Sequence, residues 1–302
     1  MSVVRDYVKL HFIVWIWGFT AILGLLITIP SVELVFFRTL IASLTLWLLL
    51  LYWKRSFKVE VFPMLKIFGT GVLISAHWIL FFAAARVSNA SVCLAGIATC
   101  SLWTSFLEPM MTRRKIKLFE VALGLIVIVG LYVIFRFEFD HALGLTMAVL
   151  SALLAALFSV INSQFTQRYD PYVITFYEMV GACLGTVAFF PVYMAYFSNG
   201  LLDLTPTAMD WLYIAILAVL CTVYAYSVWV ELMKRLSAFL INLTVNLEPV
   251  YGIILALLIF GEKEQMDPGF YCGTLIILAS VLSYPAFNKY YKRKAMSIDN
   301  LR

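Results

Sequence analysis

Ten apolar stretches, separated by short polar breaks, occupy almost the whole of this 302-residue chain. Each is long enough to cross a hydrocarbon core of ~30 Å as a helix that rises ~1.5 Å per residue. They are 7–29, 32–53, 64–85, 89–112, 117–136, 142–167, 171–197, 209–233, 238–260 and 268–288. Only 13% of the residues are charged, against roughly 25% in soluble domains. The pattern predicts an all-α integral membrane protein with ten transmembrane helices.

Lysine and arginine are concentrated in every second connection between these stretches. Eighteen of the 22 basic residues lie in the two terminal segments and the loops that share their side of the membrane. Only Arg86, Arg136 and Lys263 fall on the other side, and Arg38 lies within a helix. Because short cytoplasmic loops retain basic residues, the distribution predicts a multi-pass protein of the bacterial inner membrane with both termini cytoplasmic. The net charge of +5 then reflects topology and anionic lipid, rather than nucleic-acid binding.

The chain also repeats itself. Residues 35–38 (VFFR) return 140 positions later as 175–178 (TFYE), and 86–88 (RVS) return 149 positions later as 235–237 (RLS). Two halves of five helices each would enter the membrane in opposite orientations, because five is odd. Such inverted repeats favour a secondary transporter with a site near the midplane. We expect a first half over 1–138, a second half over 139–290 and a basic cytoplasmic tail over 291–302.

Residues that carry metal or nucleophile chemistry are sparse. All five cysteines lie in predicted helices without a CxxC pair, which favours small packing residues over disulfides or metal ligands. The three histidines are scattered, and the sequence has neither an HExxH motif nor a GxxxxGKS loop. We therefore expect no metal, no cofactor, no direct ATP drive and no enzyme activity.

The stretch 246–262 (NLEPVYGIILALLIFGE), followed by Gly273 in the next helix, resembles the end of an EamA-type half in the drug/metabolite transporter superfamily. The resemblance extends from Trp17 and Gly18 to about Pro285. It implies two inverted five-helix halves in one chain, acting as a monomer. It also implies outward transport of small metabolites, often amino acids or their relatives.

The first half departs from the family pattern. At the 149-residue offset, Thr99 and Cys100 stand opposite Glu248 and Pro249, so the first half lacks the mid-helix proline. Similar mismatches between equivalent positions are where we expect substrate specificity to arise.

Arg38 and Glu178 place opposite charges at equivalent positions of the two halves. Charged groups inside a bilayer cost about 2.5–3.5 kcal/mol on insertion scales, so they usually face a cavity or a partner. They could form the two gates or bind opposite ends of a zwitterion. Alternatively each is satisfied locally, Arg38 by Glu33.

The ninth stretch carries a polar face. Asn242, Asn246, Glu248 and Pro249 fall on one arc at 100° per residue. This face could line the transport pathway or form a polar seam between helices. Pro249 removes a donor to the carbonyl of Val245, which predicts a free carbonyl and a weak point near mid-membrane.

Glu248 lies close to mid-bilayer and is the main candidate for a proton-coupled or cation-contacting carboxylate. His77 could relay protons or simply hydrogen-bond a neighbour. Trp78 could contact substrate or pack in the core, and Asn162 adds polarity from the second half.

These features predict a carrier for a small metabolite, such as an amino acid, that works by alternating access with a proton gradient as a candidate drive. Within transport, a multidrug or cation exporter is the alternative, since carboxylates and aromatic rings suit cations. In a different class, a membrane enzyme acting on lipid-linked substrates would need a convergent acid, base and nucleophile.

Overall fold

The structure is a computed structural model that describes residues 2–113, 115–137, 139–261 and 266–299. Within these ranges the regular structure is entirely helical. The α-helices are α1 (Ser2–Trp17), α2 (Thr20–Leu26), α3 (Ser31–Tyr52), α4 (Val61–Val87), α5 (Ala90–Ile97), α6 (Cys100–Thr112), α7 (Leu118–Phe137), α8 (Ala142–Phe165), α9 (Pro171–Tyr196), α10 (Ala208–Ala215), α11 (Ala225–Leu232), α12 (Ala238–Val245), α13 (Glu248–Phe260) and α14 (Pro268–Asp299). A π-helix, Ile216–Tyr224, joins α10 to α11, and a 3-10 turn, Phe139–His141, precedes α8.

Eight helical spans of the described residues are long and apolar enough to cross a membrane. They run from Val4–Leu26 and Ser31–Tyr52 to Ala208–Leu232 and Ala238–Phe260. Two further helices, α7 and α14, hold shorter apolar stretches, Leu118–Ile134 and Pro268–Ser280. The chain is therefore an all-α integral membrane protein, and each of the ten predicted stretches coincides with a helix or a broken helix.

Three of the long spans are interrupted near their middle. The interruptions lie between α1 and α2, between α5 and α6, and between α12 and α13. The last one changes the interpretation of Pro249, which lies in the first turn of α13 rather than inside a continuous helix. A first-turn proline costs no intrahelical hydrogen bond, because that N–H has no partner there anyway. The predicted weak point coincides with the gap between α12 and α13, and the part that Pro249 plays in it stays a prediction.

Glycines allow α4 and α9 to pack backbone against backbone. A Cβ on Gly71 would collide with the carbonyl oxygen of Glu178, and one on Gly181 would lie 2.5 Å from that of Phe68. Small residues at such crossings are what permits close approach of helices in a membrane. The crossing fixes the depth at which the Glu178 side chain leaves α9.

Helices α7 and α14 run antiparallel along each other. Gly130 lies against Gly273 at one level, while Ser280 Oγ donates to the Leu123 carbonyl at 2.7 Å at another. Later residues of α7 thus lie beside earlier residues of α14, as they do in antiparallel helices. The two helices occupy corresponding places in the two sequence repeats.

Polar contacts join α1 and α2 to neighbouring helices at both ends of the span that they form. At one end, Asp6 accepts two hydrogen bonds from Arg235, at 2.6 and 2.8 Å, and these bonds raise the pKa of Arg235. At the other end, Asp210 accepts from the backbone and the hydroxyl of Thr28, at 2.7 and 2.6 Å. Hydrogen bonds therefore tie both ends of this span to other parts of the chain.

Candidate functional site

A cavity lies at the level of the three helix interruptions. Its free volume is about 90 Å³, measured as the space open to the centre of a water-sized sphere, which is enough for several waters or part of a small solute. Its polar lining consists of Thr20, Arg38, His77, Cys100, Ser159, Cys221, Asn242 and Glu248. Its aromatic lining consists of Trp17, Trp78, Phe81, Phe158, Tyr226 and Trp229.

The interruptions bring chain ends to this cavity. Trp17 and Thr20 flank the first one, Ile97 and Cys100 the second, and Val245 and Glu248 the third, and all six line the cavity. Helix ends leave backbone N–H and C=O groups without intrahelical partners. Irregular backbone at membrane depth is tolerated where it borders a cavity. The cavity thus lies where the three spans are interrupted.

Arg38 carries a buried positive charge into the cavity wall. Its side chain is 3% exposed, its Nε donates to Thr222 Oγ1 at 2.9 Å, and its guanidinium carbon lies 3.8 Å from the centre of the Trp78 ring. Thr222 lies in the π-helix, whose extra residue per turn re-aims side chains. Glu33, the local partner considered above, accepts instead from the backbone amide of Asp203 at 3.2 Å. Glu33 is thus bonded elsewhere, while Arg38 lines the cavity.

Glu248 brings a buried carboxyl to the same cavity. It is 6% exposed, and its Oε1 lies 3.2 Å from Thr20 Oγ1, which also lies 2.7 Å from the Trp17 carbonyl. Glu248 occupies the first turn of α13, where the positive end of the helix dipole stabilises negative charge. One cavity therefore holds a cationic side chain, Arg38, and a carboxyl group, Glu248, from different parts of the chain.

Glu178 and Asn162 lie behind the cavity wall and do not line it. Tyr226 Oη donates to Glu178 Oε2 at 3.2 Å and accepts from Asn162 Nδ2 at 2.9 Å. Tyr226 itself does line the cavity. The equivalent positions of Arg38 and Glu178 are therefore used differently, one at the site and one behind it.

His77 is held by α8. Its Nδ1 lies 2.7 Å from Ser151 Oγ and 2.9 Å from the Ser151 carbonyl, and Ser151 Oγ donates to the His77 carbonyl at 2.8 Å. This is the neighbour-bonded arrangement considered in the sequence, although the ring also borders the cavity.

On the polar face of the ninth stretch, one asparagine lines the cavity and the other is hydrogen-bonded to a neighbouring helix. Asn242 lines the cavity, donates to Thr104 at 2.9 Å and accepts from Ser159 at 3.1 Å. Asn246 lies outside the cavity and donates to Ser101 at 2.7 Å. The Pro249 side chain lies outside the described residues.

Several lining residues escaped the sequence reasoning. Thr20 and Ser159 are short polar residues in apolar helices, where they usually bond to their own backbone. Thr20 could have been recognised from the Trp17-Gly18 pair that precedes it, because a glycine there favours a helix break. Tyr226 stands 149 positions after His77, the offset of the repeat, and this position gives no sign of its bond to Glu178.

Residues 142–284 match the model of the EamA-like transporter family. This match lies within the second half expected from the repeat.

Relatives along the full chain are named as transporters. An uncharacterized transporter of Archaeoglobus fulgidus is 26% identical, over 90% of this chain and 93% of its own length. The uncharacterized transporter YetK of Bacillus subtilis is also 26% identical, over 91% of this chain and 85% of its own.

A solved crystal structure shares the fold, with a TM-score of 0.66 over 93% of this chain and 97% of that one, at 17% identity. The family match over the second half and the full-length relatives agree with the helical fold. The chain is a membrane transporter that carries an EamA-like domain over residues 142–284.

Proposed function

We propose that this protein is a secondary transporter that exports a small zwitterionic metabolite, an amino acid or a relative, by alternating access. The observation that carries the proposal is the pairing of Arg38 and Glu248 in one buried, aromatic-walled cavity. A guanidinium binds a carboxylate, and a carboxylate binds an ammonium group. An amino acid carries both groups on one carbon.

The proposed architecture has ten crossings, with α7 and α14 as the fifth and the tenth, in a monomer with cytoplasmic termini in the bacterial inner membrane. The antiparallel course of α7 and α14 supports inversion of the halves, since these helices correspond in the repeat. Residues 1–138 and 139–290 would then move against each other around the cavity.

Counterflow of radiolabelled amino acids into proteoliposomes tests the proposal. Glu248→Gln and Arg38→Gln should each lower substrate affinity by about tenfold or more, because a hydrogen bond to a charged group contributes about 1.5–3 kcal/mol. Lys66→Gln is the matched control, since that lysine is exposed and contacts the Phe62 ring at 4.5 Å. The absence of flux for a broad amino-acid panel under every imposed gradient would contradict the proposal.

The aromatic wall favours one second candidate, export of organic cations. The two candidates differ in what Arg38 should do. A cation carrier should lose flux in Glu248→Gln and gain flux in Arg38→Gln, because the guanidinium repels the cargo. An amino-acid carrier should lose flux in both variants.

A further inference from the structure

We propose that Glu178, and not the cavity carboxyl Glu248, is the proton-carrying group of this transporter, with Tyr226 linking its protonation to the cavity. This proposal rests on the proposed function, because it names the coupling site of the carrier. Nothing in the composition or the repeat distinguishes the two glutamates as proton carriers. The distinction comes from their surroundings.

Glu178 is fully buried, and only neutral hydrogen-bonding groups satisfy it. Its side chain is 0% exposed, and its contacts are Tyr226 and Asn162. Burying a carboxylate without a cation costs several kcal/mol, whereas the neutral acid is far less costly to bury. In this structure the surroundings therefore favour a protonated Glu178.

The hydrogen-bond pattern also favours a proton on Glu178. Glu178 Oε1 and Asn162 Oδ1 are both buried acceptors without a donor among the described residues. Both belong to side chains that already share Tyr226. A proton on Glu178 would turn one of these unsatisfied acceptors into a donor.

Ionisable side chains on the helices around α9 are engaged with other partners. Arg38 donates to Thr222, His77 is hydrogen-bonded to Ser151, and Lys66 contacts the Phe62 ring. Glu33 accepts from the Asp203 amide, Arg86 donates to the Gly24 and Ile27 carbonyls, and Glu231 contacts Lys9 and Arg235. Tyr226 is the ionisable group that faces Glu178 from α11. Glu248 differs in this respect, because it shares its cavity with Arg38.

Tyr226 makes the buried acid sensitive to the cavity. Its ring lies 5.1 Å from the Trp229 ring and 6.4 Å from the Trp78 ring, centre to centre, and both indoles line the cavity. A substrate that displaces this ring would pull the phenol away from Glu178 Oε2. When the cavity then opens to water, Glu178 releases its proton to that water, and it takes one up again on the other side. Substrate movement and proton movement would thereby be coupled.

The test uses Glu178→Gln, since glutamine reproduces the protonated acid. Its carbonyl oxygen can still accept from Tyr226, so folding and counterflow should be retained. Accumulation driven by a pH gradient should fall to the level without a gradient. Glu33→Gln is the control, because Glu33 is equally buried in α3 and lies outside the cavity.

The outcomes separate this inference from the proposed function. Gradient-driven accumulation by Glu178→Gln equal to that of the wild type would overturn the proton role of Glu178 and leave the carrier standing. A wild type that performs counterflow but never responds to a pH gradient would do the same. A Glu178→Gln protein that folds but performs no counterflow would make Glu178 part of substrate movement itself and also overturn the proposal. A wild type without counterflow would remove the proposed function first.

Discussion

Two of the three interrupted spans, α5–α6 and α12–α13, cross each other at two places, and the two crossings differ in chemistry. Where α6 meets α12, Asn242 and Asn246 donate to hydroxyls at 2.9 and 2.7 Å. Where α5 meets α13, a Cβ on Gly252 would collide with the Leu94 side chain and lie 3.1 Å from the Gly18 carbonyl. One crossing is hydrogen-bonded and the other is packed by small and apolar groups.

The backbone plan behind the crossings is nevertheless the same. Both helices begin with a side-chain cap, Asn89 for α5 and Ser237 for α12, and both break after eight residues. Both continue as thirteen-residue helices, α6 and α13. The two spans thus share the position of the break, while the side chains around it differ. Substitutions at the two crossings should therefore differ in their effect on stability, because one crossing depends on close packing and the other on side-chain hydrogen bonds.

The largest effect is expected from Gly252→Leu at the apolar crossing. The new side chain has no room between Leu94 and the Gly18 carbonyl, and overpacking of this kind costs about 3 kcal/mol or more in a tight contact. We expect a much lower yield of monodisperse protein and a lower Tm in detergent.

Gly69→Leu is the matched control for Gly252→Leu. A Cβ at Gly69 would meet nothing within 4 Å, and this glycine is exposed on α4. Equal losses in both variants would mean that helix insertion, rather than the crossing, limits the yield.

A smaller effect is expected from Asn242→Leu at the polar crossing. This change removes one bond to Thr104 and one from Ser159, and interhelical hydrogen bonds in membranes contribute about 0.6 kcal/mol each, with a maximum near 1.7. We expect thermal unfolding in detergent to show a loss of about 1–2 kcal/mol. Counterflow should also weaken, because Asn242 lines the cavity.

Asn246→Leu provides the comparison within the same seam. Asn246 makes one bond, to Ser101, and its Oδ1 is buried without a partner among the described residues. Leucine removes that unsatisfied atom together with the bond, so stability should change little and counterflow should persist. A loss of counterflow as large as in Asn242→Leu would place Asn246 in the transport pathway.

Hydropathy and length predicted the helical fold well, because a bilayer requires about 20 apolar residues for each crossing and internal backbone bonding throughout. The breaks were harder to predict. Pro249 drew attention to the ninth stretch, whereas Ala98 and Thr99 carry no helix-ending signal. The first-half break became visible only once tertiary packing was known.

The candidate site was predictable in composition but not in geometry. Arg38, His77, Trp78, Asn242 and Glu248 were expected from polarity inside apolar helices, and all border the cavity. Glu178 was expected at a gate or at the other end of a zwitterion from Arg38, yet it lies behind Tyr226. Equivalent positions in a sequence repeat fix depth in the membrane, while the rotation and packing of each helix decide which way the side chain points.

The smallest effect is expected from Pro249→Ala, which asks whether proline creates the difference between the two breaks. The first half breaks without a proline, and Pro249 occupies a first-turn position, so alanine should leave the break and the counterflow intact. Stability should fall by no more than about 1 kcal/mol, chiefly because the unfolded chain gains freedom. Pro191→Ala is the control, since Pro191 lies inside α9, where replacement restores a backbone donor and should raise Tm. A Pro249→Ala protein that melts higher but loses counterflow would show that proline holds the second break open, and the two halves would then break for different reasons.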